Sequence, residues 1–366
     1  MTKDNPDTGI FYDLLDNYMP ARIKAALLRL EPGRVKELEE IRLRGALPLM
    51  GVFAGYDRFI GADGQLFNGH EKALRVTEKE LNELFYRLCD QSLYAYQEDI
   101  IRGFITLKGG HRAGVCGTVV YQGDRITGMR DISSVSIRLS RQLKGCAEAV
   151  FPSIIRNHRD VYNTLILSPP RCGKTTLLRD LCRLISQGTD FFSGLRTAVI
   201  DERSELAAMY RGIPQNDLGP RTDILDGCRK SEGIEMVLRG MAPHVIVVDE
   251  LGGTRDAESV KLAWNAGVRL MATAHAFDLT DFRGRFGVGN LAHQEGFERI
   301  IVLGINNGKR WIRVMNTHGD ELDFLVQGSG MPADFHRMYG LGTQNVGQAG
   351  REAACTLKTH GDPCQP

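Results

Sequence analysis

The sequence lacks a long apolar run, an apolar leader and an excess of charge of either sign. No stretch approaches the roughly 18 apolar residues of a membrane-spanning helix, and the opening MTKDNPDTGIFYD has no basic region followed by apolar residues. Lysine and arginine total 46 against 45 aspartates and glutamates, a formal net charge of +1. No global attraction to nucleic acid or to an anionic membrane is therefore built in. We expect a chain that folds and works in the cytosol.

Paired cysteines are also absent, although the chain contains eight cysteines. They are scattered, without a CxxC pair and without a Cys/His group at zinc-ligand spacing. We therefore expect reduced thiols that mostly fill the core. The cysteines are Cys89, Cys116, Cys146, Cys172, Cys182, Cys228, Cys355 and Cys364.

The length of 366 residues, at roughly 150 residues per domain, indicates about two domains. Residues 1–145 alternate helical and strand-like patterns, such as the helical apolar spacing over Phe11 to Leu30, and predict an α+β domain. Residues 146–340 repeat strand, glycine-bearing turn and helix, which predicts a mostly parallel α/β sheet with an edge hairpin over 309–326. The polar, glycine-rich stretch 341–366 is predicted to be a disordered tail.

The strongest motif is SPPRCGKTT, which follows an apolar strand and precedes a helix with an apolar face. This is the context of a P-loop, in which backbone N–H groups and a helix N-terminus surround phosphates. Lys174 would reach the β- and γ-phosphates of ATP, and the Thr175 hydroxyl would bind Mg²⁺. Serine replaces the usual first glycine, and the two prolines after it preset a similar turn. The predicted nucleotide-binding loop comprises Ser168, Pro169, Pro170, Arg171, Cys172, Gly173, Lys174, Thr175 and Thr176.

A second motif, APHVIVVDELGG, describes a buried parallel strand that ends in two acids. At the carboxyl end of this strand, Asp249 would hold Mg²⁺ through water, and Glu250 would orient or deprotonate the attacking water. His275 follows another predicted strand and is expected to sense the γ-phosphate at the same edge of the sheet. A further acidic group follows the strand TAVI and is aimed at that edge too. Its members are Asp201, Glu202 and Glu205.

With these residues in place, the chain resembles the stage III sporulation AA family, within the type II/IV secretion ATPase superfamily of P-loop motors. The resemblance covers nearly everything from about residue 40 to residue 330. Each motif is short, but their order and spacing together are highly specific. The motifs are EEIRLR (39–44), GFITLKGGHRAGVCG (103–117), SPPRCGKTTLLRDL (168–181), VIDERSEL (199–206), GIPQNDLGPRTDILDGC (212–228), VIVVDELGG (245–253) and ATAHA (272–276).

The resemblance implies a RecA-like P-loop NTPase domain with a smaller N-terminal α+β domain. It also implies a homohexameric ring in which nucleotide lies between the two domains and an N-terminal arginine completes the site. The matching arginines are Arg112, Arg130 and Arg138, and the last lies in a VSIR stretch similar to the SIR segment of secretion ATPases. An arginine of this kind neutralises charge in the transition state, so Arg138 is the candidate catalytic arginine.

Other positions match the superfamily motifs less evenly. The acids at 201–205 stand where secretion ATPases carry their acidic box, and His275 matches their histidine box. Arg239 resembles an arginine that precedes the Walker B strand. A Gly252-Gly253 insertion displaces Arg255 from its corresponding position, which leaves its role open.

The function implied by the resemblance is an ATPase that powers a transenvelope channel between mother cell and forespore during endospore formation. Such a motor would be cytoplasmic, on the mother-cell side, and would dock peripherally on membrane proteins of the channel. The stretch 212–228 is too rich in Gly, Pro and Asx for a helix, so we predict a loop that lines the pore or couples to a partner.

Two other functions stay open at this stage. An ATP-driven motor on RNA or single-stranded DNA is suggested by the GxxG match at 114–117, which KH domains use to clamp a nucleic-acid backbone, although the near-zero net charge argues against it. A scaffold that binds ATP without turnover is the other, because Ser168 and Arg171 alter the loop. The intact pair Asp249-Glu250 argues against the scaffold.

Overall fold

The computed structural model describes residues 6–284, 296–306 and 309–326. These residues form two compact units. The first unit contains the described residues up to Gln142 together with the segment Arg203–Asp217. The second contains Leu143–Glu202 and the described residues from Leu218 onward. The sequence pattern does not predict that Arg203–Asp217 belongs to the first unit. The predicted tail 341–366 lies outside the described residues.

The first unit is built on a seven-stranded antiparallel sheet of order β4-β3-β2-β1-β7-β6-β5. The apolar side of the sheet packs with the helices into one core. The helices are α1 (Pro6–Tyr18), α2 (Ala21–Leu28), α3 (Pro32–Glu37), α4 (Glu78–Leu88) and α5 (Gln97–Arg102). The strands are β1 (Leu38–Arg44), β2 (Met50–Phe53), β3 (Tyr56–Ile60), β4 (Leu66–Phe67), β5 (Phe104–Thr106), β6 (Arg112–Gln122) and β7 (Arg125–Arg138).

Local sequence accounts for where these helices begin and end. The helical spacing over Phe11 to Leu30 belongs to two helices, because the chain divides into α1 and α2 at Pro20, whose extended backbone precedes α2. Proline has no N–H to continue the α1 ladder. Helix α4 begins at a capping box: the Thr77 hydroxyl accepts from the Glu80 N–H, and the Glu80 carboxylate accepts from the Thr77 N–H.

The second unit is built on an eight-stranded sheet of order β12-β11-β13-β14-β10-β15-β16-β17. Helices pack against apolar strands in its core. The helices are α6 (Phe151–Ile154), α7 (Lys174–Gln187), α8 (Lys230–Gly240), α9 (Thr254–Asn265) and α10 (Leu279–Arg283). The strands are β8 (Ile155–Asn157), β9 (Asp160–Val161), β10 (Thr164–Ser168), β11 (Thr197–Asp201), β12 (Thr222–Asp226), β13 (Val245–Val248), β14 (Arg269–His275), β15 (Arg299–Asn306), β16 (Lys309–Met315) and β17 (Glu321–Val326).

The strand directions confirm the predicted fold class, a mostly parallel α/β sheet with a separate N-terminal α+β unit. Strands β10 to β15 run parallel, while β16 and β17 form an antiparallel hairpin at one edge, as the sequence predicts. Strands β10, β11 and β13 are buried at every position, which explains their continuous apolar runs.

The loop predicted over 212–228 is partly wrong. Its second half contains β12, which pairs with β11 along the sheet edge opposite the hairpin. Gly219 and Pro220 form a turn, and β12 begins two residues after it, at Thr222. Gly219 has φ +90°, and a Cβ there would come within 2.6 Å of the Ser186 Cβ, so the chain turns tightly over α7 before entering the sheet.

Candidate functional site: a P-loop with a clustered lysine, two acids and a histidine

The loop between β10 and α7 has the local structure expected of a P-loop. Helix α7 begins at Lys174, and Gly173 before it has φ +92°. Arg171 also has a left-handed backbone, with φ +64°, in a conformation that favours glycine. Ser168 is buried at the end of β10, and its hydroxyl donates to the Pro169 carbonyl at 2.8 Å. The substituted serine therefore closes the turn through its own side chain.

An arginine on β16 supports this loop through a hydrogen bond that the sequence pattern does not predict. The Arg310 guanidinium, on β16, donates to the Cys172 carbonyl at 3.0 Å. The alternating strand pattern predicts the edge hairpin, but it does not indicate that one of the hairpin arginines contacts the loop. Burial raises the pKa of the Cys172 thiol above its usual range, so the thiol stays protonated near neutral pH.

Three side chains from distant parts of the chain meet at the start of α7. The Lys174 ammonium lies 2.9 Å from Glu250 Oε1 and 3.0 Å from His275 Nε2. His275 Nε2 is also 3.0 Å from Glu250 Oε1. The parallel pairing of β10 with β14 sets Ser168 opposite His275, which brings the histidine beside the loop. We call Lys174, Glu250 and His275 the P-loop triad.

Two further residues of the predicted site are hydrogen-bonded to each other. The Thr175 hydroxyl donates to Asp249 Oδ2 at 2.8 Å. The other oxygen of Asp249 accepts a hydrogen bond from the Thr273 hydroxyl, and Thr273 Oγ1 accepts from the Glu250 N–H at 2.9 Å. One buried threonine on β14 thus holds both acids. It lies within the ATAHA motif, although the motif alone does not predict this role.

The backbone at the second acid is unusual. Glu250 has φ +56°, a left-handed conformation that costs a non-glycine residue of order 1 kcal/mol or more. The hydrogen bond from its N–H to Thr273 stabilises this turn. Because of the turn, consecutive acids face different partners, with Asp249 bonded to Thr175 and Glu250 bonded to Lys174.

The residues present fit a magnesium nucleotide. A threonine hydroxyl and a carboxylate side by side are the oxygen donors that Mg²⁺ prefers when substrate phosphates supply the rest. His275 Nδ1 is buried and has no hydrogen-bond partner among the residues that the structure describes, so its hydrogen-bonding capacity is unused. Within the same described ranges, no group of three or more His, Cys, Asp or Glu side chains forms a metal site of its own.

The acidic group at 201–205 has other partners. Asp201 is buried at the end of β11, and Glu202 is paired with the buried ammonium of Lys230 on α8. Glu205 belongs to the first unit, where its carboxylate lies 2.8 Å from Arg112. The pairing of Glu202 with Lys230 is a contact that the sequence pattern does not predict.

The three candidate arginines of the first unit differ in their surroundings. Arg112 stacks over the Phe104 ring at 3.8 Å from its centroid and pairs with Glu205. Arg138 is its cross-strand partner on β7, is 75% exposed and lies 3.4 Å from a Glu40 oxygen. Arg130 is 72% exposed and its nearest acid is Asp131 at 3.6 Å. Arg138 and Arg130 are thus the more accessible of the three.

Three other sequence features find structural places. Arg239 is 81% exposed on α8 and pairs with Glu235. Arg255 lies in the first turn of α9, which the Gly252-Gly253 insertion precedes. The GxxG match at 114–117 lies inside strand β6 and pairs with β7, so it does not form the exposed backbone clamp that a KH-like function requires.

Comparisons with known proteins support the family and the fold. A model of the family "Sporulation stage III, protein AA" matches residues 13–322. Stage III sporulation protein AA of Bacillus subtilis (strain 168) is 36% identical over 285 residues, covering 78% of this chain and 88% of that protein. Among the described residues, no helix has the length and apolar content needed to cross a membrane.

The fold resembles that of a solved motor protein at low sequence identity. The pilus retraction motor PilT with bound ADP superposes with a TM-score of 0.51 at 15% identity, over 81% of this chain and 82% of that one. The ATPase DotB of Legionella pneumophila gives a TM-score of 0.48 at 13% identity, over 76% and 77% of the two chains. From the family match and the 36% identical relative, the chain belongs to the sporulation stage III protein AA family.

Proposed function

We propose that this chain is an ATP-hydrolysing motor of the secretion-ATPase type. The observation that carries the proposal is the meeting of a P-loop lysine with an acid and a histidine from two neighbouring parallel strands. Groups at the carboxyl ends of parallel strands converge on the ligand crevice of such sheets. The solved PilT motor is described with bound ADP, and a nucleotide at this P-loop is the corresponding expectation here.

The roles of the residues follow from their contacts. The Lys174 ammonium and the free N–H groups at the start of α7 would bind the β- and γ-phosphates of ATP. Thr175 and Asp249 would hold Mg²⁺, which supplies charge neutralisation at the phosphates when bound. The Thr175–Asp249 hydrogen bond already sets these two oxygens side by side.

Glu250 and His275 would act on the attacking water and on the γ-phosphate. Glu250 would orient the water and accept its proton. If Lys174 donates to His275 Nε2, then Nδ1 carries the ring hydrogen and can donate to a phosphate oxygen. Catalysis would then consist of positioning and electrostatic stabilisation rather than covalent chemistry.

The assembly we propose is a homohexameric ring in which Arg138 completes the nucleotide site. Family membership supports a role in sporulation. We propose that the motor powers a transenvelope channel between mother cell and forespore, and that it docks peripherally, on the mother-cell side, on membrane proteins of that channel.

The test is steady-state ATP hydrolysis by the purified chain against its Lys174→Ala variant, with the oligomeric mass measured without nucleotide, with ADP and with a non-hydrolysable ATP analogue. The exposed Lys79→Ala, on α4 of the first unit, is the matched control. We expect turnover in the parent and in Lys79→Ala, and its loss in Lys174→Ala. Tight ATP binding without turnover under every condition, including with membrane extracts of sporulating cells, would contradict the motor and favour a nucleotide-gated scaffold.

A further inference from the structure

The first unit contains a polar cleft of about 290 Å³ that none of the P-loop residues lines. Its walls come from the end of α1, the end of α4 with the turn that follows it, the turn after β5 and the segment Arg203–Asp217. Its charged lining residues are three cations and one acid. They are Arg87, Lys108, Arg211 and Asp90.

One oxygen of the acid already has three partners in the cleft. Asp90 Oδ2 accepts from the Tyr210 hydroxyl at 3.0 Å and pairs with the Arg211 guanidinium at 2.7 Å. The Tyr96 hydroxyl donates to the same oxygen. Asp90 therefore balances the charge of Arg211 and leaves the other cations of the cleft without compensation from it.

Lys108 is the uncompensated cation. Its backbone N–H donates to the Tyr18 hydroxyl at 3.3 Å, which fixes the main chain at the rim. Its side chain is exposed, and across the described ranges the ammonium has no hydrogen-bond or ion-pair partner. Arg87 donates to Glu83 at 2.6 Å through one terminal nitrogen and to the Met19 carbonyl at 3.2 Å through the other, and the second N–H of each nitrogen remains for a ligand.

The backbone around the cleft is held in an unfavourable conformation. Asp90, Gln91 and Arg211 have φ of 46°, 64° and 50°, and none of them is glycine. Such conformations persist only where surrounding contacts impose them, and they concentrate at ligand sites. Here the tyrosine hydroxyls on Asp90 supply those contacts, so the cleft is preformed.

We propose that this cleft binds a small phosphorylated anion. A phosphate group matches a free ammonium beside guanidinium donors, because charge-assisted hydrogen bonds to phosphate are the strong ones. The volume lies near the lower end of ligand pockets, about 300 Å³, which favours a compact ligand over a whole nucleotide. Tyr210 and Arg211 belong to the segment Arg203–Asp217, which follows Asp201 and Glu202 in the chain. An anion bound to these two residues therefore holds that segment in place.

The experiment is calorimetric titration of the full-length chain with inorganic pyrophosphate at low salt. The Lys174→Ala variant serves as the background, because pyrophosphate can also enter a P-loop. We expect one site in this background, weakened about tenfold or more by Lys108→Gln. Lys79→Gln, which removes a charge at the far end of α4, should leave the site unchanged.

Two outcomes overturn the proposal. The first is the same titration curve with and without Lys108→Gln. The second is Lys108-dependent binding to phosphatidylglycerol vesicles with no binding of pyrophosphate, which would make the cleft a lipid headgroup site. Because the site is measured with the P-loop lysine removed, a failure here is distinct from a failure of the ATPase proposal.

Discussion

The Lys174 ammonium lies 2.9 Å from a carboxylate oxygen of Glu250, so the residue expected to bind the γ-phosphate already has an anionic partner. Both side chains are largely buried, at 9% and 18% exposed. A phosphate entering the P-loop must exchange with Glu250 for the same ammonium. The exchange would release the carboxylate toward water, where a general base is needed.

This competition predicts an unusual pair of effects for Glu250→Gln. Removing the negative charge weakens its hold on Lys174, so we expect ATP affinity to stay the same or rise by up to about tenfold. Hydrolysis should fall by about 10²-fold or more because the base is lost. Fluorescent ATP-analogue binding and phosphate release measure the two effects. Glu258→Gln, an exposed acid on α9, is the control, and weaker ATP binding by Glu250→Gln would contradict the competition.

Thr273 offers a second test, because its hydroxyl bonds to Asp249 and accepts from the Glu250 N–H. Thr273→Val keeps the shape and removes both bonds, which leaves a buried N–H unpaired at a cost of about 1–3 kcal/mol. We expect turnover to fall by about tenfold or more, with a raised requirement for Mg²⁺. Thr273→Ser should restore most activity. Equal turnover in the Val and Ser variants would remove the positioning role.

Much of this site could be predicted because its residues stand in short motifs at the ends of apolar strands. An apolar strand followed by a loop and GKT predicts the strand, P-loop and helix that residues 164–187 form. The places of Asp249, Glu250 and His275 then follow from the parallel order, since strand ends meet at one edge. The sequence does not predict which hydrogen bonds individual side chains make. Examples are the two bonds of Thr273 and the bond from Arg310 to the Cys172 carbonyl.

The place of the segment Arg203–Asp217 in the first unit could not be predicted from the sequence. Its contacts with the first unit are long-range, such as Glu205 with Arg112 and Tyr210 with Asp90, and no local periodicity reports them. The strand β12 was missed for another reason. Gly219 and Pro220 signal a turn, but pairing with β11 decides that the next residues form a strand, and tertiary pairing overrides local propensity.

The Arg112–Glu205 pair predicts that breaking it loosens this segment. The two side chains are 26% and 35% exposed, so we expect a coupling energy of only about 0.5–1 kcal/mol in a double-mutant cycle. The sharper readout is proteolysis, since Arg203 and Arg211 are trypsin sites within the segment. Cleavage there should accelerate in Arg112→Ala and in Glu205→Ala, and not in the exposed Arg125→Ala. Unchanged cleavage in both variants would show that other contacts suffice.

The capping box of α4 predicts an acid-sensitive contribution to stability. Hydrogen bonding to Arg22 is the largest cause that lowers the pKa of Glu80, from 4.5 to about 2. A lowered folded-state pKa means that the stabilisation is complete above pH 4.5 and is lost as pH falls toward 2. Glu80→Gln should therefore cost about 1–2 kcal/mol in urea unfolding at pH 7 and far less near pH 2. Glu78→Gln, also in the first turn of α4, should show a smaller difference between the two pH values.

The proposal that Arg138 completes the nucleotide site can be tested by substituting this residue. Arg112 is held by Phe104 and Glu205, whereas Arg138 projects from β7 with three quarters of its side chain exposed. If it neutralises transition-state charge, Arg138→Ala should keep ATP binding within about twofold and lower turnover by up to about 10³-fold. Arg130→Ala, an equally exposed arginine on the same strand, is the matched control. Arg138→Lys should recover little activity, because an ammonium lacks the planar fork of guanidinium. Normal turnover in Arg138→Ala would assign the role to another residue, and loss in Arg130→Ala alone would move it to that arginine.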